Sequence, residues 1–230
     1  MWPFIVGISL DITAHFLELN TIFTYIYLAL ETLIYVVIAI TCHRLILLGE
    51  GSVPKYGLNK WTLRETWFSF WMIVFTYAFP YLLIKVMAYL FSSSITLITT
   101  NIGFDYLIYF LWALCIPLTA VFFIVSVRLS LIFPHIALGN LNINIIQWAW
   151  QLTKGNTLKL ILLIIIMPFV IFSPFYLFDL FFKEVEKGGV PYLMLTLFST
   201  CVSYFLTIFV ISALSISYHW LMQINKDKAV

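Results

Sequence analysis

Runs of apolar side chains as long as a bilayer is thick recur from end to end of this chain. Five of them cover about residues 21–48, 66–91, 103–131, 158–182 and 191–222. A helix needs about 20 apolar residues to cross a hydrocarbon core of roughly 30 Å, and each run meets that length. A sixth run, 2–17, is short and carries Asp11 and His15, with Glu18 just beyond it. None of the long runs alternates polar and apolar residues at period 2, which sets aside a transmembrane β-barrel. The expected fold is an all-α, polytopic transmembrane helical bundle of about six spans. Residues 1–230 then form a single integral membrane domain.

Composition agrees with this and narrows the function classes. Apolar residues make up 63% of the chain and charged residues 10%, against roughly 45–50% and 25% in soluble proteins. That is too little charge to cover a water-exposed surface. The net charge of +2 is too balanced to suggest a nucleic-acid partner. Cys42, Cys115 and Cys201 lie within apolar runs, and their spacing suits neither a disulfide framework nor a thiolate metal site. The aromatic share of 19% fits lipid-facing helices with interfacial belts.

Basic residues set the expected orientation. Arg44, Lys55, Lys60 and Arg64 lie around the second connection, and Arg128, Lys154 and Lys159 around the fourth. Lys226 and Lys228 close the chain. These nine of the 12 basic residues fall on one side, whereas Lys183 and Lys187 on the other are offset by Asp105, Asp179, Glu184 and Glu186. The positive-inside rule then makes both long connections and the C-terminus cytoplasmic. The N-terminus is cytoplasmic with six spans and external with five.

The even-numbered spans end alike, in Cys42-His43-Arg44, Ser126-Val127-Arg128 and Ser217-Tyr218-His219. This spacing suits three stacked helical hairpins. It also suits the general tendency of inner-membrane helices to end on a basic residue, and the two readings stand side by side. Residues 141–154 read as an interfacial amphipathic helix on the cytoplasmic side. Leu141, Ile145, Trp148, Ala149 and Leu152 share its apolar face, which is expected to meet the acyl boundary. Asn140 is placed to cap its start, Gly155 to end it in a left-handed turn, and Asn156 to cap the next helix. Thr62-Leu63-Arg64-Glu65 reads as a capping box before the third span. Arg44, Arg128, Trp148 and Trp150 are the expected interfacial anchors.

Few residues are left that could carry chemistry. Asp11, His15 and Glu18 share one helical face, and a turn near residue 20 returns Glu31 to the depth of Asp11. Together with Lys85 these form a candidate intramembrane polar site, because ionisable groups inside a membrane are costly and often functional. The alternative for the first three is the wet face of a surface helix. Carboxylate and imidazole ligands would also suit a divalent metal, but no metal or other cofactor is expected. Lys85 can snorkel outward or pair with Asp105. Pro80, Pro117, Pro168 and Pro174 interrupt spans, as kinks for packing or as the broken helices of a transporter. His43, His135 and His219 read as boundary residues, and a haem between His43 and His219 is the minor alternative. Nucleophile-elbow, zinc-protease and P-loop motifs are absent. No catalytic residue is therefore assigned.

Two stretches carry a resemblance. One is His43-Arg44-Leu45-Ile46-Leu47-Leu48-Gly49-Glu50 with Leu63-Arg64-Glu65-Thr66-Trp67. The other is Arg128-Leu129-Ser130-Leu131 with Pro134 and Gln151-Leu152-Thr153-Lys154-Gly155-Asn156. Over about residues 42–165 these resemble the YciC-like bacterial inner-membrane family and the related membrane domain fused to some glycerophosphodiester phosphodiesterases. The resemblance implies a six-helix, non-catalytic protein of the bacterial inner membrane. The leading expectation is a structural or accessory subunit of a larger membrane assembly, in contact with lipid and with other subunits or further copies of itself. The alternative is a small transporter or channel for an ion, proton or lipid.

Overall fold

The computed structural model describes residues 3, 5–10, 21–52, 62–98, 104–141, 144–181 and 189–227. Helix α1 is Thr21–Leu48. Helix α2 comprises Leu63–Ile73, a π-helical turn Val74–Ala78, and Phe79–Ile98. Helix α3 is Phe104–Ser130, followed by the short α4, Ile132–Ala137, and by α5, Ile145–Leu152. Helix α6 comprises Thr157–Ile161, a second π-helical turn Leu162–Ile166, and Met167–Phe181. Helix α7 is Val190–Asp227.

The described residues contain no strand. Five helical stretches are long and apolar enough to cross a membrane: Ile26–Leu48, Leu63–Leu90, Cys115–Ala137 (the end of α3 together with α4), Thr157–Phe175 and Val190–Asn225. The protein is an all-helical, multi-pass integral membrane protein. Of the expected first span, residues 5–10 are helical and 11–20 lie outside the described residues. Gly7 shows where this segment sits: a methyl group there would overlap the Tyr204 hydroxyl on α7 and crowd Ile34 on α1. Only a residue without a side chain permits that approach.

Helices in lipid gain no hydrophobic drive toward one another, so small residues and polar contacts decide where they meet. Helices α1 and α7 share the most extensive contact in the bundle, and the buried small residues Ala39, Ala213, Ser215 and Ser217 lie on these two helices. The core gathers at the basic end. Val36, Ile38 and Ile40 of α1 join Phe68 of α2, Ile211 of α7 and most of α4 in one cluster. Val127, Leu160, Leu214 and Leu221 form the other. All six residues of α4 are buried, so this short helix plugs the space among α1, α2 and α7.

The prolines act in two ways. Phe79 and Met167, each immediately before a proline, donate their N–H groups five residues back, to the carbonyls of Val74 and Leu162. A proline ring clashes with the carbonyl four residues earlier and brings no N–H to it. The preceding turn widens to π geometry in response. Pro117 and Pro174 sit inside helices without such a turn. The prolines at 80 and 168 therefore mark an identical local device in the two spans that start from the basic end.

The interfacial helix differs from expectation. It covers Ile145–Leu152 rather than 141–154, and its first flanking residue is Asn144, not Asn140. Asn140 instead follows Gly139, whose φ of 90° ends α4. Neither Asn144 nor Asn156 makes a side-chain cap bond. Gly155 does adopt the left-handed turn, with φ of 82°. The apolar face of Ile145, Ala149 and Leu152 is buried in the protein's own core rather than in acyl chains.

Candidate functional site

The buried polar side chains concentrate at the basic end, where five helices converge. Glu65 is wholly buried and closes the capping box, its Oε2 accepting the Thr62 N–H at 2.8 Å. Its Oε1 pairs with the Arg64 guanidinium, whose Nε donates at 2.8 Å. The Thr62 hydroxyl donates to the same carboxylate. The box predicted from sequence is therefore also the one ion pair among the described residues.

Both arginines expected as interfacial anchors bind backbone instead of reaching outward. Arg44 donates to the Ser52 carbonyl from Nε at 3.2 Å and Nη2 at 2.9 Å, folding the chain back over the end of α1. The Ser52 hydroxyl completes the clamp through the Arg44 or Gly49 carbonyl. Arg128, at the end of α3, donates to the Trp150 carbonyl at 2.7 Å and to Thr153 Oγ1 at 2.8 Å. Its guanidinium lies 3.8 Å from the centre of the Trp150 ring. Thr153 passes the contact on by donating to the Ala149 carbonyl at 2.9 Å. A cation thus sits on the last carbonyls of α5, where the helix dipole favours it.

Two of the three histidines read as boundary residues, His43 and His135, are internal. His43 is 1% exposed, and its Nδ1 lies 2.7 Å from Ser215 Oγ. Ser215 gives its proton to the Ile211 carbonyl at 3.0 Å. The serine oxygen therefore accepts from His43, which places a proton on Nδ1. His135 stacks on Trp148 with ring centres 3.7 Å apart, and its Nδ1 is 3.2 Å from the Tyr218 hydroxyl. Trp148 is thus turned into the protein as a stacking partner, and only Trp150 keeps an exposed, anchor-like position. The physical reason is helical phase: two residues apart on α5, the two rings cannot share a face. His219 stays exposed, bonded to Gln223 at 2.9 Å.

A groove of ≈ 780 Å³ opens beside this platform, between the start of α2 and α5. Trp67, Trp71 and Ile146 form its apolar walls, with the amides of Asn144, Gln147 and Gln151 at hand. Two buried nitrogens nearby, Trp71 Nε1 and His135 Nε2, have no hydrogen-bond partner among the described residues.

The candidate intramembrane site is only partly in view. Asp11, His15 and Glu18 lie outside the described residues. Glu31 is half-buried in α1. Lys85 is exposed on the half of α2 away from the basic end, with Nζ 5.4 Å from the centre of the Tyr81 ring. The described residues contain no cluster of three or more His, Cys, Asp or Glu suited to a metal ion. Sequence reasoning missed His43, His135, Ser215 and Tyr218 as buried partners. Their signal was the recurrence of hydroxyl residues late in α7, at 212, 215, 217 and 218, facing two histidines elsewhere in the chain. Comparison with protein-family models, curated proteins and solved structures gave no match.

Proposed function

We propose that this chain is a non-catalytic structural or accessory subunit of a larger assembly in a bacterial inner membrane. The observation that carries this reading is the outer half of α2. The most apolar part of Leu63–Leu90 has no residue buried within the chain. Tyr81, Lys85 and Tyr89 follow at intervals of four and so share one face, with the two tyrosines 62% and 71% exposed. A lysine on a lipid-facing helix is costly. A neighbouring subunit that offers an acceptor to Lys85 and covers the tyrosines removes that cost. The polar groups at the basic end meanwhile hold helix ends together, which suits a rigid platform. The YciC-like resemblance over about residues 42–165 belongs to the same reading.

Native mass measurement after extraction in mild detergent tests it. The expected species is a complex that Lys85→Leu weakens while the thermal stability of the released chain stays unchanged. A stable lone monomer sinks the proposal. The same reading puts the basic end in the cytoplasm, from Arg44, Arg64, Arg128, Lys154 and Lys159. Reporter fusions after residue 227 should then be active only for a cytoplasmic marker.

A further inference from the structure

A second groove, of ≈ 570 Å³, runs between α6 and the end of α7. Lys159 lies at its basic end, with Nζ 5.4 Å from the centre of the Trp220 ring. Leu162, Ile166, Met167 and Val170 continue it along α6, so the π-helical turn before Pro168 forms part of its wall. Leu162, Ile166, Met167 and Val170 are all exposed, which leaves the groove open on the lipid side. Ser217 also lines it, but its hydroxyl donates to the Ala213 carbonyl at 2.7 Å. Lys159 is thus the charged group among the described lining residues.

We propose that this groove holds one anionic glycerophospholipid, with its phosphate on Lys159 and one acyl chain lying along Leu162 to Val170. Length supports the assignment. At about 1.5 Å per residue the path from Lys159 to Val170 is roughly 16 Å, close to one leaflet of a hydrocarbon core about 30 Å thick. Charge supports it as well. Lys159 sits near the start of the membrane-crossing stretch Thr157–Phe175, at the basic end, where a headgroup lies, and apart from the internally bonded Ser217 the remaining lining is apolar. The indole of Trp220 holds the ammonium at that depth through a cation–π contact, while its own ring suits the interfacial layer. Phospholipid is also the occupant the surroundings supply, because the open side of the groove faces the bilayer.

The test uses the full chain in mild detergent, supplied with dioleoyl phosphatidylglycerol or dioleoyl phosphatidylcholine, which share their acyl chains. Native mass spectrometry counts the lipid retained. The unaltered protein should prefer the anionic lipid by about fivefold, the effect expected of one interfacial lysine. Lys159→Gln should abolish that preference and Lys159→Arg should keep it. Ile166→Trp, which fills the groove, should lower retention of both lipids. Equal retention of the two lipids by the unaltered protein overturns the proposal, as does a preference that survives in Lys159→Gln. Displacement of the lipid by inorganic phosphate at matched concentration also overturns it, since the site would then read the headgroup alone. A bound protein mass in place of lipid has the same consequence.

Discussion

At the basic end of the bundle, α1, α2 and α7 close around α4, and most of the polar side chains between them are buried and bonded. At the opposite end, the Phe79–Ile98 half of α2 exposes Tyr81, Ile84 and Tyr89 by 60% or more. Long apolar helices run through both regions, so hydrophobicity alone does not explain the contrast. What differs is the supply of small residues and hydrogen-bonding pairs. His43–Ser215, His135–Tyr218 and Arg128–Thr153 give helix ends a reason to associate that lipid cannot match. The contrast teaches that stability and surface are divided between the two ends, one holding the fold and the other left available to its surroundings.

Truncating the core of the basic end is the strongest way to break this division. Phe68→Ala removes a ring 1% exposed that packs 5.1 Å from Phe133 and beside His43. The expected loss is about 4 kcal/mol, from the contacts removed and the cavity left. Denaturant unfolding in detergent measures it. The ion pair comes next and has a direction. Arg64→Leu leaves the fully buried Glu65 carboxylate without its cation, at a cost of about 3 kcal/mol. Glu65→Gln leaves only a partly exposed guanidinium and should cost about 1 kcal/mol. Equal losses would show that the pair is solvated and that the basic end is looser than its packing implies.

Gly7→Ala tests whether the N-terminal segment belongs to the firm region. Its new methyl overlaps the Tyr204 side chain, and overpacking of this kind costs about 2 kcal/mol. Tyr204→Phe in the same chain should return part of the loss, because the hydroxyl is the nearest obstacle. No loss would mean that residues 5–10 lift away from α7. The smallest effect belongs to the opposite end. Tyr89→Ala should change the stability of the isolated chain by less than about 0.5 kcal/mol. A larger change would show that the outer half of α2 is part of the core after all.

Much of the architecture was legible in the residues themselves. Five apolar runs marked five membrane-crossing helices, and Thr62 with Glu65 marked the start of α2. Gly155 marked its left-handed turn because φ of 82° strains any residue with a Cβ. Such features depend on neighbours in sequence. The partners of Arg128, His43 and His135 were not legible, because Thr153, Ser215 and Tyr218 lie 25, 172 and 83 residues away. Nothing local distinguishes a histidine that ends a helix at the interface from one that enters the core.

Hydrophobic length and periodicity thus determined by themselves that this chain lies in a bilayer as a set of helices. The positions of the lysines and arginines between the runs likewise determined which end is basic, since all of these features are read from neighbouring residues. Tertiary structure alone decided that Trp148 stacks on His135, and that the prolines at 80 and 168 open π-helical turns while those at 117 and 174 do not. It likewise decided that Lys159 stands at the end of an apolar groove. Each of these depends on where one helix meets another, and in a bilayer that is set by packing and pairing between distant segments.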